Sequence, residues 1–121
     1  MKTVLIVDDS SFMRNIIKKH LDELDVTIVG EAGDGKEAVD KYKELNPDIV
    51  TLDLAMLDND GIEALRVIRE HDPNADVIII SSTTDQVTIV DQVTSLGACA
   101  IINKPIVKNE LIGVFNDLLS K

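Results

Sequence analysis

The chain has 121 residues, enough for one domain with one core and too few for two. Its 22 acidic residues against 12 basic ones give a net charge of −10, a field that repels nucleic acid phosphates and anionic membranes and favours a basic protein partner. No apolar run approaches the roughly 20 residues of a membrane helix, Met1-Lys2-Thr3 enters a strand pattern at once rather than a signal peptide, and a lone Cys99 fits a reducing cytoplasm.

Short β-branched runs and helical patterns alternate from end to end. The runs predict strands at about 3–7, 26–30, 48–52, 77–81 and 99–103. After the first comes a helix at about 11–24, with Met13, Ile16, Ile17, Leu21 and Leu24 on one face and Ser10 or Ser11 at its N-cap. The second helix, about 35–45, is stopped by Asn46-Pro47, and the third, about 61–71, ends before Pro73. The fourth, about 85–96, is rich in β-branched residues whose local preference allows a strand. Helix is expected there because Val87, Val90 and Val93 suit one face, Gly97 stops it, and parallel neighbours need a crossover. The last helix runs about 107–119. Five strands alternating with five helices predict an α/β domain, a parallel sheet covered on both faces, spanning residues 1–121 with no effector segment.

In such a sheet, strand carboxyl ends gather on one edge, where ligands bind. Asp8 and Asp9 close the first run, Asp53 the third, Ser81 and Ser82 the fourth, and Lys104 the fifth. Three acids meeting at one point crowd negative charge, and a hard cation relieves it. Mg²⁺, which takes oxygen ligands and phosphate, fits Asp8, Asp9 and Asp53. Zinc does not: Cys99, His20 and His71 have no ligand spacing, and both histidines read as surface residues. Lys104 can pair with Asp53 or with a phosphoryl oxygen on it, and Ser81 can donate a hydroxyl hydrogen bond to the same oxygen. The Lys104-Pro105 bond can be cis or trans.

These residues, with Val4-Leu5-Ile6-Val7-Asp8-Asp9-Ser10, Phe12-Met13-Arg14, Pro47-Asp48-Ile49-Val50-Thr51-Leu52-Asp53, Asp60-Gly61, Gly97-Ala98 and Lys104-Pro105 in order, make the sequence resemble the receiver domain of two-component response regulators, the chemotaxis-protein-Y-like family. The resemblance spans essentially the whole chain and implies a flavodoxin-like (βα)5 domain with strand order 2-1-3-4-5. It implies that Asp53 accepts a phosphoryl group from a sensor histidine kinase. Asp8, Asp9, Asp53 and the Ala55 main-chain carbonyl would hold Mg²⁺, and Lys104 and Ser81 would contact the phosphoryl group. Such a chain is a phosphoacceptor that assists its own phosphorylation and dephosphorylation rather than an enzyme. It acts by protein contact on a motor switch protein, a kinase or a phosphorelay carrier, with a phosphatase as a further partner.

Departures from the family pattern lie on the output side. Leu57 replaces a usual Pro, Asn59 a frequent Met, Ser82 a common Ala, Ile101 an aromatic, Asn103 an apolar residue, and Val107 a capping Thr or Ser. With Ile101 there is no phenol to rotate, so switching is expected to use Ser81, the 54–60 loop and the fourth helix. Ala55 and Thr83 offer no group to position an attacking water, which implies a slowly hydrolysing phospho-Asp53. Phe12-Met13-Arg14, with Ile112 and Leu119, is a candidate docking surface. Two other readings compete. An aspartyl-nucleophile phosphatase of the haloacid dehalogenase type needs a second acid two residues after the nucleophile, where Ala55 stands. A pseudo-receiver that binds without phosphorylation has no need of the intact acid set.

Overall fold

The computed structural model describes residues 1–54, 60–82 and 87–120. In chain order the elements are β1 (Lys2–Val7), α1 (Ser11–Leu21), β2 (Val26–Ala32), α2 (Gly35–Leu45), β3 (Ile49–Leu52), α3 (Asp60–His71), β4 (Asp76–Ser81), α4 (Val87–Ser95), β5 (Ala100–Asn103) and α5 (Lys108–Leu119). The strands form one parallel sheet in the order β2-β1-β3-β4-β5. The expected α/β fold and strand order are therefore borne out.

Strand alternation divides the core between the two faces. Val4, Ile6, Ile49, Ile78, Ile80 and Ile102 point to the side covered by α1 and α5, where Ile17, Leu21, Leu111, Phe115 and Leu118 meet them. Leu5, Val7, Val50, Leu52, Val77 and Ile79 point to the side of α2, α3 and α4, against Ala38, Tyr42, Ala64, Leu65, Ile68 and Val93. Both faces of the central strands are dry, which is why β3 and β4 read as almost unbroken apolar runs.

Helix ends follow their chemistry. Ser10 caps α1, its hydroxyl accepting from the Met13 N–H at 3.2 Å. That helix stops at Leu21, short of the expected residue 24, because acidic Asp22, Glu23 and Asp25 oppose the negative end of the helix dipole. Leu24 still packs on the core from a turn in which its N–H donates to the Leu21 carbonyl. Asn46 ends α2 in the left-handed conformation at φ 50°. Gly97, at φ 98°, ends α4: its N–H donates to the Thr94 carbonyl and the Ala98 N–H to the Val93 carbonyl, a Schellman closure. So α4 is helical across Val87–Ser95 despite its β-branched content, and the expected residues 85 and 86 lie outside the described ones. Tertiary demand overrides propensity here, with Val93 fully buried. His71 is exposed, as expected, while His20 is half-buried on α1.

Val107 is the N-cap of α5, at φ −97° and ψ 121°, and supplies no side-chain bond. It is also 58% exposed, so little burial is lost on changing it. Val107→Ser places a hydroxyl above the helix start with Glu110 already at the third helical position, completing a capping box. The variant should gain about 1 kcal/mol in urea denaturation; an unchanged midpoint refutes the missing cap.

Candidate functional site

The strand order reverses beside β1: the chain first adds β2 on one side, then β3 on the other. The crevice at such a switch point is where open α/β sheets bind ligands. Asp8 and Asp9 follow β1 and Asp53 follows β3, one on each side of it.

The sheet ladder runs on just far enough to place them. The Asp8 N–H donates to the Ala32 carbonyl at 3.0 Å, tying the end of β1 to β2. The Asp53 N–H donates to the Val7 carbonyl at 3.0 Å, tying the end of β3 to β1. The Lys104 N–H donates to the Ser81 carbonyl at 3.2 Å, tying β5 to β4. Asp8, Asp53 and Lys104 thus each sit one step beyond a strand on backbone fixed by its neighbour, and the Lys104-Pro105 peptide is cis.

Asp8, Asp53 and Ser81 are buried, and Asp9 is exposed. One oxygen from each of Asp8, Asp9 and Asp53 lies within 4.8 Å of the others. Lys104 Nζ donates to Asp8 Oδ2 at 2.9 Å and to Asp53 Oδ2 at 3.1 Å, its side chain only 19% exposed. Asp8 Oδ1 accepts from the Ser10 N–H at 2.9 Å. Burial works against the Lys104 ammonium, but the hydrogen bond to Asp8 and the charges of Asp53 and Asp8 outweigh it and hold its pKa above the ordinary lysine value.

The charges supply a test of fit for a metal. Three carboxylates and one ammonium sum to −2, which one divalent cation cancels. The donors are all oxygen, as Mg²⁺ requires. So Asp8, Asp9, Asp53 and Lys104 come together as the sequence implies, with Ser81 closing the adjacent strand. Ala55, Thr83, Leu57, Asn59 and most of the 54–60 loop lie outside the described residues.

Two neighbours carry more than sequence reading assigned them. Arg14, placed with Phe12 and Met13 as docking surface, is turned inward: Nη1 donates to the Asp8 carbonyl at 2.6 Å and Nε to Glu31 Oε1 at 2.9 Å. Phe12 is 71% exposed, while Ile112 and Leu119 are half-buried. Gly61 lets the start of α3 lie on the backbone of Asp53 and Leu54. Arg14 stands one turn past the N-cap, a readable place, but its partner Glu31 is 17 residues away on β2 and no local pattern links them.

Residues 4–116 match the response regulator receiver domain family. The chain belongs to that family. This receiver is 41% identical to the chemotaxis protein CheY of Thermotoga maritima over 95% of both chains, and 48% identical to CheY of Listeria monocytogenes over 87% of both. In structure it is similar to a CheX–CheY complex with BeF3 and magnesium from Borrelia burgdorferi, with a TM-score of 0.91 and 38% identity over 99% of this chain and 90% of that one. It is thus a receiver of the CheY type, a phosphoacceptor response regulator. No helix among the described residues is long and apolar enough to cross a membrane.

Proposed function

We propose that this receiver works as a cytoplasmic signalling domain, phosphorylated on Asp53 by a histidine kinase and read by protein contact. The observation that carries this is the buried Asp53 carboxylate held at 3.1 Å from Lys104 within a three-acid cluster. A carboxylate in that position is a nucleophile held beside a fixed cation before the reaction begins.

The transfer balances as follows. An Asp53 carboxylate oxygen attacks phosphorus, forming an acyl phosphate. The bond from phosphorus to the kinase imidazole breaks, and the histidine leaves as the neutral ring after taking up a proton. Lys104 faces the negative oxygens of the transferring group, and Ser81, at the end of β4, supplies a hydroxyl to the product. Asp8, Asp9 and Asp53 would hold Mg²⁺, which supplies charge neutralisation for the phosphoryl oxygens. The kinase supplies the phosphoryl group and the chain turns over no substrate of its own, so it is a phosphoacceptor rather than an enzyme.

Arrival of the phosphoryl group adds charge and acceptor oxygens beside Ser81 and Lys104. These residues end β4 and β5, which flank α4, so the change is carried to the face of α4, β5 and α5. Ile101 is half-buried against the core beneath α4, and the shift there is one of packing rather than of a rotating ring. A motor switch protein, a kinase or a phosphorelay carrier would read that face, and a phosphatase would reset it.

The test is incubation with acetyl phosphate and MgCl₂ followed by intact-mass measurement. The parent should gain one phosphoryl group, dependent on magnesium, and Asp53→Asn should gain none. Labelling that persists in Asp53→Asn would sink the assignment.

A further inference from the structure

We propose that Arg14 is a positioning residue for the acidic cluster: it fixes the peptide that joins Asp8 to Asp9 and so sets the two acids against Asp53. The inference rests on the reading of those acids as a divalent-cation site.

The carbonyl of Asp8 belongs to the peptide unit linking Asp8 to Asp9, and a peptide unit is a rigid plane. Arg14 Nη1 donates to that carbonyl at 2.6 Å. Both carboxylate oxygens of Asp8 already have donors, Ser10 N–H and Lys104 Nζ. The main-chain bond from Arg14 therefore adds a third restraint, on the plane from which both acids project.

Arg14 is itself braced. Its Nε bonds Glu31 Oε1 at 2.9 Å, and Lys18 Nζ holds the other oxygen, Oε2, at 2.9 Å. Lys41 on α2 donates to the Glu31 main-chain carbonyl. The hydrogen bond from Lys18, against the effect of burial and together with Arg14, keeps the Glu31 carboxyl below its ordinary pKa, so the brace stays charged. The Arg14 side chain is one-fifth exposed and spans two acceptors, one just past the end of β1 and one on β2, which a planar fork does and a compact ammonium does not.

Charge and geometry predict opposite signs. A cation beside an anionic site repels Mg²⁺, so removing the Arg14 charge alone should tighten magnesium binding. Loss of a positioning bond should weaken it, on the scale of 10–100-fold seen for outer residues of metal sites.

The experiment is isothermal titration of the parent, Arg14→Lys and Arg14→Gln with MgCl₂, well below the melting temperature of each, with circular dichroism to verify folding. Arg14→Lys keeps the charge and should weaken binding about tenfold; Arg14→Gln, which also removes a repelling cation, should weaken it less. Binding equal to or tighter than the parent's in a folded Arg14→Lys overturns the role, as it would if Arg14 served fold stability alone. If the parent itself binds no magnesium, the cation reading falls and this inference with it. If the parent binds and the variants match it, only the role of Arg14 falls.

Discussion

Replacing Lys104 by Met should destabilise the magnesium-free protein by about 3 kcal/mol. The ammonium contacts two buried carboxylates, and its removal takes the cluster from −2 to −3 with none of the acids moved toward solvent. Breaking a buried pair from one side is far more damaging than replacing the pair, because the remaining charge keeps its desolvation penalty. The estimate sits at the low end of that range because the lysine side chain is 19% exposed. Magnesium should narrow the difference, since a −3 cluster attracts a divalent cation more strongly than a −2 cluster does. Urea denaturation with and without MgCl₂ measures both effects, and a loss below about 1 kcal/mol, or a gap that magnesium leaves unchanged, contradicts the account. Varying pH will not imitate the substitution. Lys104 is held above its ordinary value, so its contribution is fully present below the unfolded lysine pKa of about 10.4 and is lost only as pH rises through the higher folded one.

A comparable effect is expected at Gly61, for a steric reason. A Cβ there would stand 2.6 Å from the Asp53 carbonyl oxygen and 2.6 Å from the Leu54 Cα. Both are backbone atoms that cannot rotate away. The start of α3 would have to lift from the end of β3, loosening Ala64, Leu65 and Ile68 in the core. Gly61→Ala should therefore destabilise by about 3 kcal/mol, although alanine is the better helix former. Gly113→Ala is the control: it lies within α5 with nothing within 4 Å of its Cβ, and should gain up to about 1 kcal/mol. If both substitutions stabilise, the close approach at Gly61 is refuted.

The legibility of this molecule varied with the range of the interactions involved. Strands were readable from β-branched runs, since both faces of the sheet are dry and Val, Ile and Leu fill every position of Ile49–Leu52 except Thr51. The acids were readable because the ends of those runs are fixed by the same pattern. The end of α1 was less so: Leu24 has helical spacing and core contact, yet reaches the core from a turn. The inward turn of Arg14 and the contact of Gly61 with β3 were not readable as such. Each depends on where a distant backbone passes, and composition carries no record of it. Val107 was read as a departure from a capping residue, and the uncapped start of α5 bears that out.

The bond from Lys104 to Asp8 joins residues 96 positions apart. A ribosome therefore delivers Asp8, Asp9 and Asp53 well before the lysine that pairs with two of them. A nascent chain with β1 to β3 assembled holds Asp53 but not the lysine that pairs with it. Charge balance in the acidic cluster is thus a property of the assembled sheet: a nicked chain lacking β5 keeps the three acids and loses the lysine that pairs with two of them.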